Sequence, residues 1–154
     1  MKKRTLALLL ALFFGGLTML IAEDPSIGTW KLNEAKSHVP AGSMKNSTVV
    51  YKMQGDKINC ITDGTVGSGT PMHIEWTGKF DGKDYPLIGD SESDTRSYRI
   101  IDDHTLEITN KKNGRVTVQA RIVYSKDFKI RTMTTVAVAD DGKKITTDAV
   151  YEKE

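Results

Sequence analysis

The chain has 154 residues, of which 38% are hydrophobic, with 22 Lys and Arg against 20 Asp and Glu. Cys60 is the single cysteine, so an internal disulfide is excluded. There is no basic block and no nucleic-acid-binding motif, and a nucleic-acid partner is therefore not expected.

The N-terminus begins with Lys2-Lys3-Arg4 and continues as an uncharged apolar run from Leu6 to Ala22. A basic start followed by an apolar run is typical of a secretory signal peptide. We therefore expect 1–22 to be a signal peptide cleaved near Ala22, and 23–154 to be one secreted or periplasmic domain. The run is also about the minimum length for spanning a bilayer, so its retention as a membrane anchor is the alternative.

Cleavage would change the charge of the protein. Three of the 22 cationic residues and none of the acidic ones lie before residue 23, which leaves 19 against 20 and a net charge of −1. We expect the cleaved product to be a monomer without stable membrane insertion.

The first strand-like run follows this segment. By the period of two, Gly28, Trp30 and Leu32 fall on one face and Thr29 and Lys31 on the other. We expect Trp30 to be a buried structural plug, and Gly28 to leave room for a close approach. Together the two residues would close one end of the fold.

The rest of the chain predicts further strands. Residues 33–46 contain Pro40 and Gly42 without helical periodicity and are predicted to be a loop, with one turn of helix near Glu34-Ala35-Lys36. After them, short alternating runs are separated by turn sequences such as Asp81-Gly82 and Asn113-Gly114, which are typical of antiparallel hairpins. With the first strand they make nine or ten strands, and the later runs lie at 48–53, 57–62, 71–80, 84–88, 95–101, 105–110, 115–124, 128–139 and 144–153.

Adjacent strands joined by tight turns form an antiparallel meander. A meander of this size avoids exposed edges by closing on itself. We therefore predict an all-β fold, an antiparallel meander closed into a small calycin-like barrel of about 8–10 strands. A two-sheet sandwich has the same local pattern and is the alternative.

The two ends of the predicted domain resemble the calycins, the lipocalins and fatty-acid-binding proteins. Gly28-Thr29-Trp30 is similar to their opening strand, in which this Trp closes one end of the barrel, and Tyr151-Glu152-Lys153 is similar to the last strand of a fatty-acid-binding protein. The resemblance implies a lipocalin-like secreted bacterial domain with a hydrophobic small-molecule ligand. The chain departs from the fatty-acid-binding proteins at 33–46, which is too short for their helical lid, and at Ala149, where they carry an Arg that holds a carboxylate.

The candidate ligand-binding residues are strand side chains that are aromatic, sulfur-containing or cationic. They are Tyr51, Met53, Cys60, Trp76, Tyr98, Arg121 and Tyr151. Alternation with polar neighbours indicates that the aromatic ones face inward, where they either pack a filled core or line a cavity. Both interpretations stay open at this point.

The direction of Arg121 is ambiguous. The resemblance places it at an inward Arg of the fatty-acid-binding proteins, whereas the apolar alternation from Val116 to Tyr124 leaves it outside, and we give the alternation slightly more weight. Unless Arg121 or Arg131 points inward, a charged head group has no partner, and we expect an apolar ligand with a modest polar end.

No catalytic or metal-binding constellation is evident. His38, His73 and His104 stand apart, without partners at metal-ligand spacing, so no metal and no cofactor are expected. The sequence thus predicts a secreted or periplasmic binding module that holds an apolar small molecule. The alternative is a filled barrel acting as an extracytoplasmic protein-interaction or structural domain, and a calycin-type isomerase is a minor third.

Overall fold

The computed structural model describes residues 24–139 and 141–154. The predicted signal peptide, 1–22, lies outside the described residues, and its cleavage stays a prediction. Within the described ranges, no helix is both long and apolar enough to cross a membrane.

Ten antiparallel strands form one closed barrel, in which neighbours in sequence pair with each other and β1 pairs with β10. The strands are β1 (Gly28–Leu32), β2 (Gly42–Gln54), β3 (Lys57–Gly67), β4 (Thr70–Gly78), β5 (Tyr85–Ile88), β6 (Thr95–Asp102), β7 (Thr105–Lys112), β8 (Arg115–Tyr124), β9 (Ile130–Val138) and β10 (Lys144–Lys153). The prediction of an all-β meander closed into a barrel is confirmed, and the barrel is calycin-like in its general architecture. The sandwich alternative is wrong because the strands form a single closed sheet.

The predicted loop at 33–46 is partly strand, and one strand extends beyond the predicted run of 57–62. The predicted helical turn is present as a 3₁₀ turn at Glu34–Lys36, but β2 begins at Gly42 and β3 continues to Gly67. Gly64 pairs with Asn46, and a Cβ at Gly64 would collide with the carbonyl oxygen of Lys45. This glycine therefore marks a close approach of two backbones inside the sheet and does not form a flexible loop.

The barrel has two different ends. At the closed end, where β1 begins and β10 ends, the interior is filled by large side chains that are 1% exposed or less. They are Trp30, Tyr51, Trp76, Tyr98, Arg131 and Tyr151. Burying aromatic side chains of this size contributes a large share of the hydrophobic stabilisation of a small domain.

At the open end the inward-facing side chains are smaller and more exposed. Val118, Ala137 and Ile145 lie side by side on three paired strands. The first two are partly buried, and Ile145 is 40% exposed. Val66 and Met133 also pack partly buried against the core, and we call these five residues the cup.

Candidate functional site

The centre of the barrel holds a buried cation. Arg131 on β9 is 1% exposed, and its guanidinium carbon lies 4.8 Å from the ring centres of both Trp30 and Tyr151 and 5.3 Å from that of Tyr51. A cation over an aromatic face gains about 0.5–2 kcal/mol per favourable contact. These three rings thus hold the guanidinium inside the barrel.

No carboxylate compensates this charge among the described residues. Nε and Nη1 of Arg131 are buried without a hydrogen-bond partner there, and the buried side chains of the described part include no Asp or Glu. Burying an ionised group without a partner is costly, and a guanidinium stays protonated at all ordinary pH values. The hydroxyl groups of Tyr51 and Tyr124 interact with the guanidinium but carry no charge to neutralise it. A buried cation without a carboxylate partner is the feature expected of an anion-binding site.

Further polar groups surround the same cavity. Arg96 donates from Nε to Oδ1 of the buried Asn110 at 2.8 Å, and the hydroxyl groups of Tyr51 and Tyr98 lie 3.2 Å apart. Burial raises the pKa of Tyr51, and the neighbouring Tyr98 adds to the shift, so this hydroxyl stays protonated at neutral pH and can donate a hydrogen bond. We call these four residues and Arg131 the anion cage.

The anion cage surrounds a cavity of about 30 Å³. That volume holds about two water molecules, or one compact anionic group. Val118 and Met133 border both this cavity and the cup, so the cavity leads toward the open end of the barrel. The cavity is too small for more than one compact group.

Five of the seven predicted ligand-binding residues lie inside the barrel. Each is 1% exposed, and they are Tyr51, Cys60, Trp76, Tyr98 and Tyr151. Only Tyr51 and Tyr98 line the cavity, whereas the other three pack within the closed end. Whether any of them contacts a ligand stays a prediction.

The other two predicted residues do not line the cavity. Met53 is 54% exposed near the end of β2, where the alternation continues beyond the packed interior. Arg121 is exposed on the outer face of β8, opposite Glu107 and Thr134 of the adjacent strands. The inward placement of Arg121 implied by the resemblance is therefore wrong, and the alternation gave the observed direction.

The residues predicted to close the barrel lie together at the closed end. Trp30 is fully buried, and its Nε1 donates to the carbonyl oxygen of Ser26 at 2.8 Å. A Cβ at Gly28 would lie 2.8 Å from Cε of Lys153, whose Nζ lies 5.5 Å from the ring centre of Trp30. Gly28 thus leaves the space in which the Lys153 side chain covers the Trp30 ring.

His73 lies on the outer face of the barrel between two carboxylates. Its Nδ1 is 2.6 Å from Oδ1 of Asp63 and its Nε2 is 3.1 Å from Oε1 of Glu75. Hydrogen bonding to Asp63 first, and then to Glu75, raises the pKa of His73. Both ring nitrogens are occupied by these bonds, and the described residues contain no group of three His, Cys, Asp or Glu side chains arranged to hold a metal.

We expect an NMR titration of His73 to have its midpoint above the ordinary value of about 6.5. Because the pKa is raised by folding, the stabilisation from this cluster is complete below the unfolded pKa and is lost as the pH rises through the folded one. Asp63→Asn should move the midpoint back toward the ordinary value. An unchanged midpoint in that variant would show that Asp63 does not hold the proton.

The chain matches no known protein-family model, and no curated protein matches it.

Proposed function

We propose that this protein is a secreted or periplasmic, non-catalytic binding module. It holds a small molecule with a carboxylate in the anion cage and with an apolar body in the cup. The observation that carries the proposal is the burial of Arg131 with no carboxylate beside it and with Nε and Nη1 lacking a hydrogen-bond partner among the described residues. A bound carboxylate neutralises this charge through charge-assisted hydrogen bonds, each worth about 1.5–3 kcal/mol.

Membership of the lipocalin and fatty-acid-binding group is part of this proposal. In the fatty-acid-binding proteins that the chain resembles, an Arg two residues before the final Tyr holds a carboxylate. This chain has Ala149 at that position. Arg131 is the direct cross-strand partner of Tyr151, so the cation is provided by the neighbouring strand. In this proposal Arg131 binds the carboxylate, which Ala149 cannot do. The proposed ligand therefore has an anionic end, whereas the sequence alone predicted a mainly apolar molecule.

The depth of the cup limits the length of the apolar body. From Met133 to Ala137 the chain advances about 13 Å at roughly 3.3 Å per residue. The tilt of strands in a small barrel reduces this to about 10 Å along the barrel axis. A medium-length chain such as that of octanoate fits this depth, whereas palmitate would extend into solvent.

Calorimetric titration of matched ligands tests the proposal. We expect octanoate to bind at least ten times more tightly than octanol, because only the acid neutralises Arg131. Butyrate should bind more weakly than octanoate, since it leaves the cup unfilled. Equal affinities for octanoate and octanol would overturn the carboxylate site.

The second candidate is a filled barrel that serves as an extracytoplasmic protein-interaction or structural domain. The small volume of the interior cavity, about 30 Å³, favours it. If neither octanoate nor octanol binds at millimolar concentration, this candidate replaces the binding module.

A further inference from the structure

A second opening lies at the closed end of the barrel and has a volume of about 340 Å³. Its apolar walls come from separate parts of the chain and consist of Phe80, Ile100, Leu106, Tyr124 and Phe128. The volume lies within the range of about 300–1,000 Å³ that is usual for small-molecule sites. We call this opening the end cleft, and none of its lining residues belongs to the anion cage.

The polar lining of the end cleft carries negative charge. Asp24, Asp102 and Asp103 line it, and no Lys or Arg of the described residues does. Hydrogen bonding from the backbone N–H of His104 lowers the pKa of Asp102, and Asp24 accepts bonds from the N–H and hydroxyl of Ser26 at 2.8 and 2.6 Å. Asp102 is therefore ionised at neutral pH, and the carboxylates of the lining favour a cation in the opening. Two cations lie beside the lining without belonging to it: Arg121 contributes to the lowered pKa of Asp102, and Nζ of Lys153 donates to the carbonyl oxygen of Pro25 at 3.0 Å.

The walls of the end cleft suit an apolar cation. The ring centres of Tyr124 and Phe128 lie 5.8 Å apart, and these aromatic walls suit an aromatic or aliphatic body carried by the cation. Ile100 is 56% exposed at the cleft, so apolar surface is left in contact with solvent there. Burying such surface under a ligand gains roughly 25 cal/mol per Å².

We infer that the end cleft binds a hydrophobic amine, with the ammonium group beside the three aspartates and the apolar body against Phe80, Leu106 and Phe128. The carboxylates and the aromatic walls together favour this ligand over a neutral or an anionic one. This inference does not depend on the anion cage.

Amine binding in the end cleft is tested with two ligands that differ in charge, and the readout is the backbone amide NMR shifts of the full chain. Phenethylamine should shift the signals of Leu106 and Phe128 in a saturable way and bind at least ten times more tightly than 2-phenylethanol. The preference should shrink as the salt concentration rises, because an exposed ion pair is screened. Equal binding of amine and alcohol, or amine shifts confined to the cup, would overturn the inference.

Isosteric variants separate charge from shape. Asn accepts the same turn hydrogen bond as Asp, so we expect Asp102→Asn combined with Asp103→Asn to keep the fold. This double variant should bind phenethylamine at least five times more weakly and 2-phenylethanol unchanged. Asp141→Asn is the matched control, because Asp141 accepts the same kind of turn hydrogen bond, from the N–H of Lys143 at 2.9 Å, and does not line the cleft; this variant should bind as the original protein does. Unchanged amine affinity in the double variant contradicts the role of the two aspartates.

Discussion

Trp30→Ala is expected to lower the free energy of unfolding by about 3–5 kcal/mol. The Trp30 ring is fully buried, lies 5.4 Å from the ring centre of Tyr124 and supports the guanidinium of Arg131. Its removal leaves a cavity in the closed end that the surrounding sheet cannot fill by collapsing. The total stability of a domain is typically about 5–15 kcal/mol, so much of the barrel's stability depends on this side chain.

Urea denaturation measures this effect, and Ile88→Ala is the matched control. Ile88 is 65% exposed, so its truncation should change the free energy of unfolding by no more than about 0.5 kcal/mol. The loss of unfolding free energy in Trp30→Phe should lie between those of Trp30→Ala and Ile88→Ala, because Phe keeps an aromatic ring and loses the hydrogen bond to Ser26. A loss below about 1 kcal/mol in Trp30→Ala would show that the ring does not close the barrel.

Arg131→Met is expected to cost the ligand-free protein no more than about 2 kcal/mol of stability and to stabilise it by up to about 2.5 kcal/mol, because relief of the buried charge offsets the loss of three cation–π contacts. Replacing buried ionic groups with apolar side chains of similar volume is often neutral or stabilising by about 1–4 kcal/mol. The cation–π contacts that the variant loses, each worth about 0.5–2 kcal/mol, reduce the gain. A binding site that keeps an uncompensated charge sacrifices stability in this way until its ligand arrives.

The same denaturation experiment decides this prediction. Arg121→Met removes an exposed cation of the same type and should leave the stability within about 0.5 kcal/mol of the original. A loss of more than about 2 kcal/mol in Arg131→Met would mean that the aromatic rings alone compensate the charge, and that Arg131 is a structural residue.

The fold could be predicted because its signals are local. Asp-Gly and Asn-Gly turns separate alternating runs, and the apolar face of β8 correctly left Arg121 outside. Met53 was predicted to line the barrel interior because alternation gives the direction of a side chain, but alternation does not give its depth within the barrel. Near the end of β2, the interior no longer covers it.

Arg131 could not be placed from the sequence. On β9 its face continues with Met133 and Thr135, whereas the opposite face carries Ile130 and Thr132, so hydrophobicity does not distinguish the two faces. The decisive information is the pairing of Arg131 with Tyr151 on β10, which only the three-dimensional register provides. The end cleft was missed for a related reason, since its walls come from segments far apart in the chain.

The most direct test of the central claim is the calorimetric affinity for octanoate in three proteins: the original, Arg131→Gln and Arg121→Gln. If the carboxylate binds to Arg131, the first variant should bind octanoate at least 30 times more weakly, a loss of about 2 kcal/mol. Arg121→Gln should bind octanoate as the original does, because Arg121 lies on the outer face. Equal octanoate affinity in Arg131→Gln and the original protein would contradict the anion cage.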